Sequence, residues 1–233
     1  MKDSFWSRLV DLIAPRACVV CGGRLGIHEF FLCGSCNLQL PRTNYADNPY
    51  ENDMARLFWG QLPVERCAAL FFYQGGSGPS QILYELKYKN HPEIGEFFGR
   101  MIAEEWNDTG FFEGIDLIVP VPLAKERQRQ RGYNQSLHIA RGIGSVTRLP
   151  IVTNAVSREQ FVESQTQKDR WQRNENVEGC FRLNDGYALR GRHVLLIDDV
   201  VTTGATICSC GREMLKAGDV RFSILTIGFA KSK

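Results

Sequence analysis

The sequence has almost no net charge, no long apolar run, no internal repeat and only four histidines, and each shortage closes off a class of function. Lys plus Arg number 28 against 26 Asp plus Glu, a formal net charge of +2, so overall charge does not grip a polyanion and any nucleic-acid contact must rest on a local patch. No stretch reaches the roughly 18 apolar residues of a membrane-spanning helix. The opening MKDSFWSRLVDLIAP lacks an apolar core with a small-residue cleavage site, so the expected location is cytoplasmic, with no membrane span. Within it Phe5, Leu9, Leu12 and Ile13 are spaced for an amphipathic helix packing on its own protein, with a membrane or partner surface as the alternative. The histidines form no constellation: His138 falls inside an expected helix, and His91 and His193 flank elements.

What is present is ordinary globular material, 233 residues with 43% hydrophobic and 23% charged, enough for one α/β domain and a small appendage. Eight cysteines in a cytosolic chain do not read as a disulfide framework. Cys18-Val-Val-Cys21 and Cys33-Gly-Ser-Cys36 are two CxxC pairs eleven residues apart, the ligand set of a structural zinc site, because each knuckle turns two sulfurs toward one ion. Gly22, Gly23 and Gly34 supply the tight backbone such turns need. Free buried thiols or a redox pair are the alternative, and His28 in the intervening loop is a weaker candidate ligand. Cys208 and Cys210 point to different faces of an expected helix as small core residues, while Cys67 and Cys180 open expected strands without a partner motif.

Residues 1–40 therefore read as an N-terminal helix and zinc ribbon, 41–66 as a Pro-, Asn- and Asp-rich linker, and 67–233 as the main domain. Strands are expected over 68–73, 117–121, 151–156, 179–183, 194–197 and 222–229. Helices are expected over 79–89, 92–106, 134–145 and 205–216, with a basic loop between 121 and 134. This alternation implies a mainly parallel sheet with helices on both faces.

In such a sheet, ligands collect beyond the carboxyl ends of the strands. The apolar run Val194-Leu195-Leu196-Ile197 leads straight into Asp198 and Asp199, and Val201-Thr202-Thr203-Gly204-Ala205-Thr206 then feeds a helix. A hydroxyl-rich glycine turn at a helix start offers backbone N–H donors and a positive dipole end to one phosphate. Carboxylates beside a phosphate need something else to hold, and adjacent ribose hydroxyls, which donate to them, satisfy that need. The junction thus suits a ribose 5-phosphate; an acidic helix cap beside a TTG turn is the plainer alternative.

VLLIDDVVTTGAT resembles the phosphoribosyl pyrophosphate (PRPP) motif of type I phosphoribosyltransferases. Four ordered motifs, the four-cysteine head, IVPVPLAKERQRQRGYNQSLHIA, ESQTQKDRWQRNENVEGCF and the PRPP motif, resemble the ComF-type competence proteins. The resemblance implies a type I phosphoribosyltransferase fold with a small zinc ribbon, and Mg²⁺ with PRPP beside the structural zinc. It implies a pyrophosphate loop carrying Lys125, Arg127, Arg129 and Arg131, Arg131 foremost, and a lid over 165–176 bringing Lys168, Arg170 and Arg173. In that reading Asp198 and Asp199 hold the ribose and Mg-assisted pyrophosphate release transfers phosphoribose to an unidentified acceptor. The alternative it implies is a DNA-uptake module that binds single-stranded DNA and DNA-uptake proteins, with PRPP as a regulatory ligand.

Overall fold

A computed structural model describes residues 15–159 and 179–231. The elements are α1 (Gly34–Leu38), α2 (Asp53–Arg56), β1 (Val64–Phe72), α3 (Ser80–Tyr88), α4 (Pro92–Glu105), β2 (Leu117–Pro120), α5 (Lys125–Arg131), α6 (Gln135–Thr147), β3 (Val156–Arg158), β4 (Phe181–Leu183), β5 (His193–Val201), α7 (Ala205–Met214) and β6 (Arg221–Phe229). Four strands form one sheet in the order β1-β6-β5-β2, every pair parallel, while β3 and β4 form a separate antiparallel pair.

Alternation along the central strands divides the interior into two cores. Leu195 and Ile197 of β5 and Leu225 and Ile227 of β6 face Ile82, Leu86, Phe98 and Ile139 from α3, α4 and α6. Val194, Leu196, Phe222 and Ile224 face Ile207, Cys210 and Met214 of α7. Being covered on both sides explains why β5 reads as a continuous apolar run rather than an alternating one. Cys18, Leu25 and Leu32 of the cysteine-bearing head join the first core, and the Phe31 ring meets Phe97 of α4 edge-on at 5.6 Å.

Residues 41–66 are folded against the sheet. Met54, Phe58 and Leu62 are buried in the second core. Asn52 caps α2 by accepting from Ala55 N–H at 2.9 Å and donates to the Cys67 carbonyl at 2.9 Å, and Thr43 donates to the Ala69 carbonyl.

The structure corrects three elements. The basic loop after β2 is the helix α5, because KERQRQR contains only good helix formers until Gly132, at φ +80, ends it in the left-handed region. The strand expected over 151–156 begins only at Val156; Ile151 makes one isolated bridge to Ile118, and a bend over 153–155 separates the two. Helix α7 ends at Met214 and closes in a 3₁₀ turn, Leu215–Ala217. The expected lid over 165–176, with Lys168, Arg170 and Arg173, lies outside the described residues, as does the amphipathic stretch containing Phe5, Leu9, Leu12 and Ile13.

Helices α4 and α6 approach closely enough to require glycine on both. A Cβ on Gly99 would lie 2.2 Å from the Ile139 carbonyl oxygen, and one on Gly142 would lie 2.2 Å from that of Glu96. Neither obstacle is a side chain that can rotate away. Gly142→Ala is expected to cost about 3 kcal/mol and to lower Tm by roughly 10 °C in thermal melts, whereas Gly75→Ala, whose Cβ would meet only the Tyr73 hydroxyl at 4.0 Å, stays within about 0.5 kcal/mol. Equal melting temperatures for the two variants would contradict the close helix contact.

Candidate functional site

The register of the sheet creates the site. Strand β2 pairs with β5 only from Leu117 opposite Val194 to Pro120 opposite Ile197, after which Val121 N–H donates to the Ile197 carbonyl at 2.8 Å. Strand β5 continues alone along β6, with Asp198 opposite Thr226 and Val201 opposite Phe229. The two acids therefore stand beyond the end of β2, within β5 rather than after it.

Each acid has a separate partner. Asp198 Oδ1 accepts from Ser136 Oγ at 3.1 Å and from the backbone N–H of Asp199 at 2.9 Å. Asp199 Oδ1 lies 3.1 Å from Lys87 Nζ. Burial, followed by the charge of Asp199, pushes the Asp198 carboxyl from its ordinary 3.8 up to about 7, although the Asp199 N–H, Lys87 and Ser136 pull the other way. Near neutrality the pair therefore carries less than two full negative charges, which relieves its internal repulsion.

Residues 131–136, RGYNQS, bring α6 to the acids. Gly132 turns the chain, Tyr133 Oη donates to the Leu86 carbonyl at 2.5 Å, and Asn134 ties the start of α6 to the residue after β2 by donating to Val121 O at 3.0 Å, while accepting from Ser136 N–H at 3.1 Å. Gln135 is buried and accepts from Arg131 Nη1 at 3.0 Å, and the Arg131 guanidinium sits over the Tyr88 ring, 5.4 Å from its centroid. Arg127 and Arg131 line one polar cavity of about 430 Å³ with Lys87, Tyr88, Asn90 and Gln130. Lys125 begins α5 exposed and does not line that cavity.

On the other side of the acids, Val201 is buried, Thr202, Thr203 and Ala205 are exposed, and Thr206 is half-buried. Gly204, at φ +79, initiates α7 with no side chain of its own to cap it, and Thr203 Oγ1 accepts from the Ala205 N–H at 3.4 Å at the positive end of this ten-residue helix. A Cβ on Gly204 would meet the Phe58 ring at 2.9 Å, so the residues beneath the turn hold its backbone shape. Sequence reasoning missed Lys87 and Ser136. Ser136 carried a usable signal, standing directly after RGYNQ, whereas a lone lysine on an amphipathic helix carried none.

The four head cysteines, Cys18, Cys21, Cys33 and Cys36, bring their sulfurs within 4.8 Å of one another, a donor set that could hold a metal ion. The Cys21 and Cys33 sulfurs are 3.9 Å apart, close to the edge of a tetrahedron with metal–sulfur bonds of roughly 2.3 Å. Backbone N–H groups point at the sulfurs: Cys33 N to Cys18 Sγ at 3.4 Å, Gly23 N to Cys21 Sγ at 3.4 Å and Cys36 N to Cys33 Sγ at 3.5 Å. Burial raises the Cys18 thiol, but the N–H groups of Cys21, Cys33 and Val20 outweigh it and hold the pKa at about 7. A larger groove of about 1070 Å³ runs between this head and α4, lined by Val20, Phe31 and Phe97, and neither the acid pair nor the turn borders it. Cys67, Cys208 and Cys210 are buried in the second core.

No family model matches the chain. It is 25% identical over 217 residues to the DNA utilization protein YhgH of Escherichia coli (strain K12), covering 89% of this chain and 94% of that protein. To Competence protein F of Haemophilus influenzae it is 26% identical over 212 residues, 86% and 91% of the two chains. To Competence protein ComFC of Bacillus subtilis it is 28% identical over 206 residues, 88% and 74%. Among solved structures it is similar to the glutamine PRPP amidotransferase of B. subtilis, with 16% identity and a TM-score of 0.41, over 61% of this chain and 30% of that one. It is also similar to the adenine phosphoribosyltransferase of Leishmania donovani, with 13% identity and a TM-score of 0.37, over 61% and 67%. The ordered motifs and near full-length relatives agree: the chain is a relative of the ComF-type competence proteins.

Proposed function

We propose that the edge formed by Asp198, Asp199 and the Thr202–Thr206 turn binds the ribose 5-phosphate half of PRPP, and that the protein transfers phosphoribose with release of pyrophosphate. The observation that carries the reading is the continuation of β5 beyond β2, which sets two adjacent acids past the end of β2 immediately before the start of α7. Asp198 and Asp199 accept hydrogen bonds from the ribose hydroxyls, and the N–H groups of residues 202–206 take the 5′-phosphate. As the bond from C1 to the pyrophosphate oxygen breaks and the bond to the acceptor forms, positive charge grows on the sugar and negative charge on the leaving group. The acids stabilise the first; Arg127 and Arg131, with Lys125 at the head of α5, stabilise the second. Magnesium, when bound with PRPP, supplies further charge neutralisation to the departing pyrophosphate. A panel of amine and nucleobase acceptors mixed with Mg-PRPP is expected to show pyrophosphate release that Asp198→Asn/Asp199→Asn lowers by about 10² or more; release no greater than that of the double variant would remove the enzyme reading.

A second reading, a DNA-handling module regulated by PRPP, is supported by the relatives' names and by one surface. Tyr84 and Tyr88 are 45% and 63% exposed, their rings 5.3 Å apart, with Lys89 over one and Arg131 over the other, the mixture of stacking faces and cations that suits a single strand. Under this reading single-stranded DNA affinity changes on adding PRPP and falls steeply with salt; no binding and no coupling would exclude it.

For the head, zinc is the proposed ion, since four closely set sulfurs favour it over harder cations. The purified protein is expected to carry one zinc per chain by elemental analysis, with Cys21→Ser/Cys33→Ser losing both the metal and thermal stability. Unchanged zinc content in that variant would place the ion elsewhere.

The raised pKa of Asp198 gives the acid pair a stability signature. Between pH 3.8 and about 7 the folded chain retains a proton that the unfolded chain releases, so this group makes stability fall as pH rises through that window and level off above it. Asp198→Asn is therefore expected to flatten the fall and to melt a few degrees higher than the wild type above neutral pH, while losing phosphoribose binding. A variant that melts lower at every pH would contradict this.

A further inference from the structure

The cation on Asp199 stands between the two halves of the proposed site. Lys87 Nζ is 3.1 Å from Asp199 Oδ1, and the same side chain lines the polar cavity with Arg127 and Arg131. Helix α3 is held in that position from the other side, because Leu86, one residue earlier, accepts the Tyr133 hydroxyl at 2.5 Å. The neighbouring cations are differently placed. Arg131 is bound to Gln135 and stacked on Tyr88, whereas the ion pair the structure gives Lys87 is to a carboxylate that the ribose would need.

We infer that Lys87 is a pyrophosphate-side cation, paired with Asp199 while the site is empty and transferred to the leaving group when ribose hydroxyls occupy that acid; this rests on the phosphoribose reading above. Two features permit the exchange. The ammonium is a compact charge on a four-carbon stem, able to swing about its fixed Cα, and two arginines, Arg127 and Arg131, line the cavity that Lys87 borders. The competition also makes chemical sense. Asp199 cannot offer full acceptor strength to a hydroxyl while it holds an ammonium at 3.1 Å, so sugar binding and release of Lys87 go together. The transferred charge then arrives beside the pyrophosphate oxygen to which electrons flow as its bond to C1 breaks. Lys87 thereby distinguishes PRPP from a plain ribose phosphate, because only the former offers it a second anion.

The test is calorimetric titration of the wild type, Lys87→Met and Lys87→Arg with two probes, Mg-PRPP and ribose 5-phosphate. Lys87→Met is expected to weaken Mg-PRPP by at least about tenfold and to leave ribose 5-phosphate no weaker, since it removes the pyrophosphate contact while freeing Asp199. Lys87→Arg is expected to hold Mg-PRPP within about threefold of the wild type. Equal losses for both probes, or unchanged Mg-PRPP affinity in Lys87→Met, would overturn the role assigned to Lys87 alone. No heat from either probe with the wild type would overturn the phosphoribose reading, and the inference with it.

Discussion

Two carboxylates on consecutive residues, one buried and the other half-buried, are an unfavourable arrangement that a fold keeps only with compensation. Here the compensation comes from three directions: a hydroxyl from the start of α6, a backbone N–H within the pair, and an ammonium from α3. Those three elements meet at one point because β2 stops four residues before β5 does, opening a gap at the sheet edge into which their ends fit. Asp198, its carboxyl pushed up to about 7, and Asp199, 3.1 Å from Lys87, thus meet different partners at one sheet edge.

The rest of the molecule holds that edge still. Glycines at the α4–α6 crossing let α6 lie close against α4, and Ser136 at the start of α6 reaches Asp198. RGYNQS works as a six-residue clamp in which the turn, the tyrosine hydroxyl and the asparagine cap each bind a different neighbour. On the opposite face, Phe58 beneath Gly204 and Leu62 against Gly211 show that residues before the first strand support the α7 start. The cysteine head packs on the core shared by α3 and α4, so a bound metal there would steady the helix that carries Lys87.

Much of this was legible in the sequence because it depended on local pattern. The apolar run of β5, the acid pair and the TTG turn announced themselves within fourteen residues, as did the paired CxxC knuckles, since each motif must make its own turn geometry. Less legible was whatever depended on tertiary fit. The prolines and asparagines of residues 41–66 suggested a linker, yet an apolar triplet spaced along that stretch, Met54, Phe58 and Leu62, is what the sheet buries. The basic segment looked like a loop because charge was weighed above helix propensity, and α5 followed propensity. Lys87 lies 112 positions before Asp199 in the chain, and no spacing rule connects one lysine on an amphipathic helix to an acid on a distant strand.

A crystal structure of the protein grown with Mg-PRPP examines the account most directly. The account predicts ribose hydroxyls within hydrogen-bond distance of Asp198 and Asp199 and the 5′-phosphate on the N–H groups of the 202–206 turn. Ligand bound away from that edge, or acids still paired only with Ser136 and Lys87 at saturating PRPP, would contradict it.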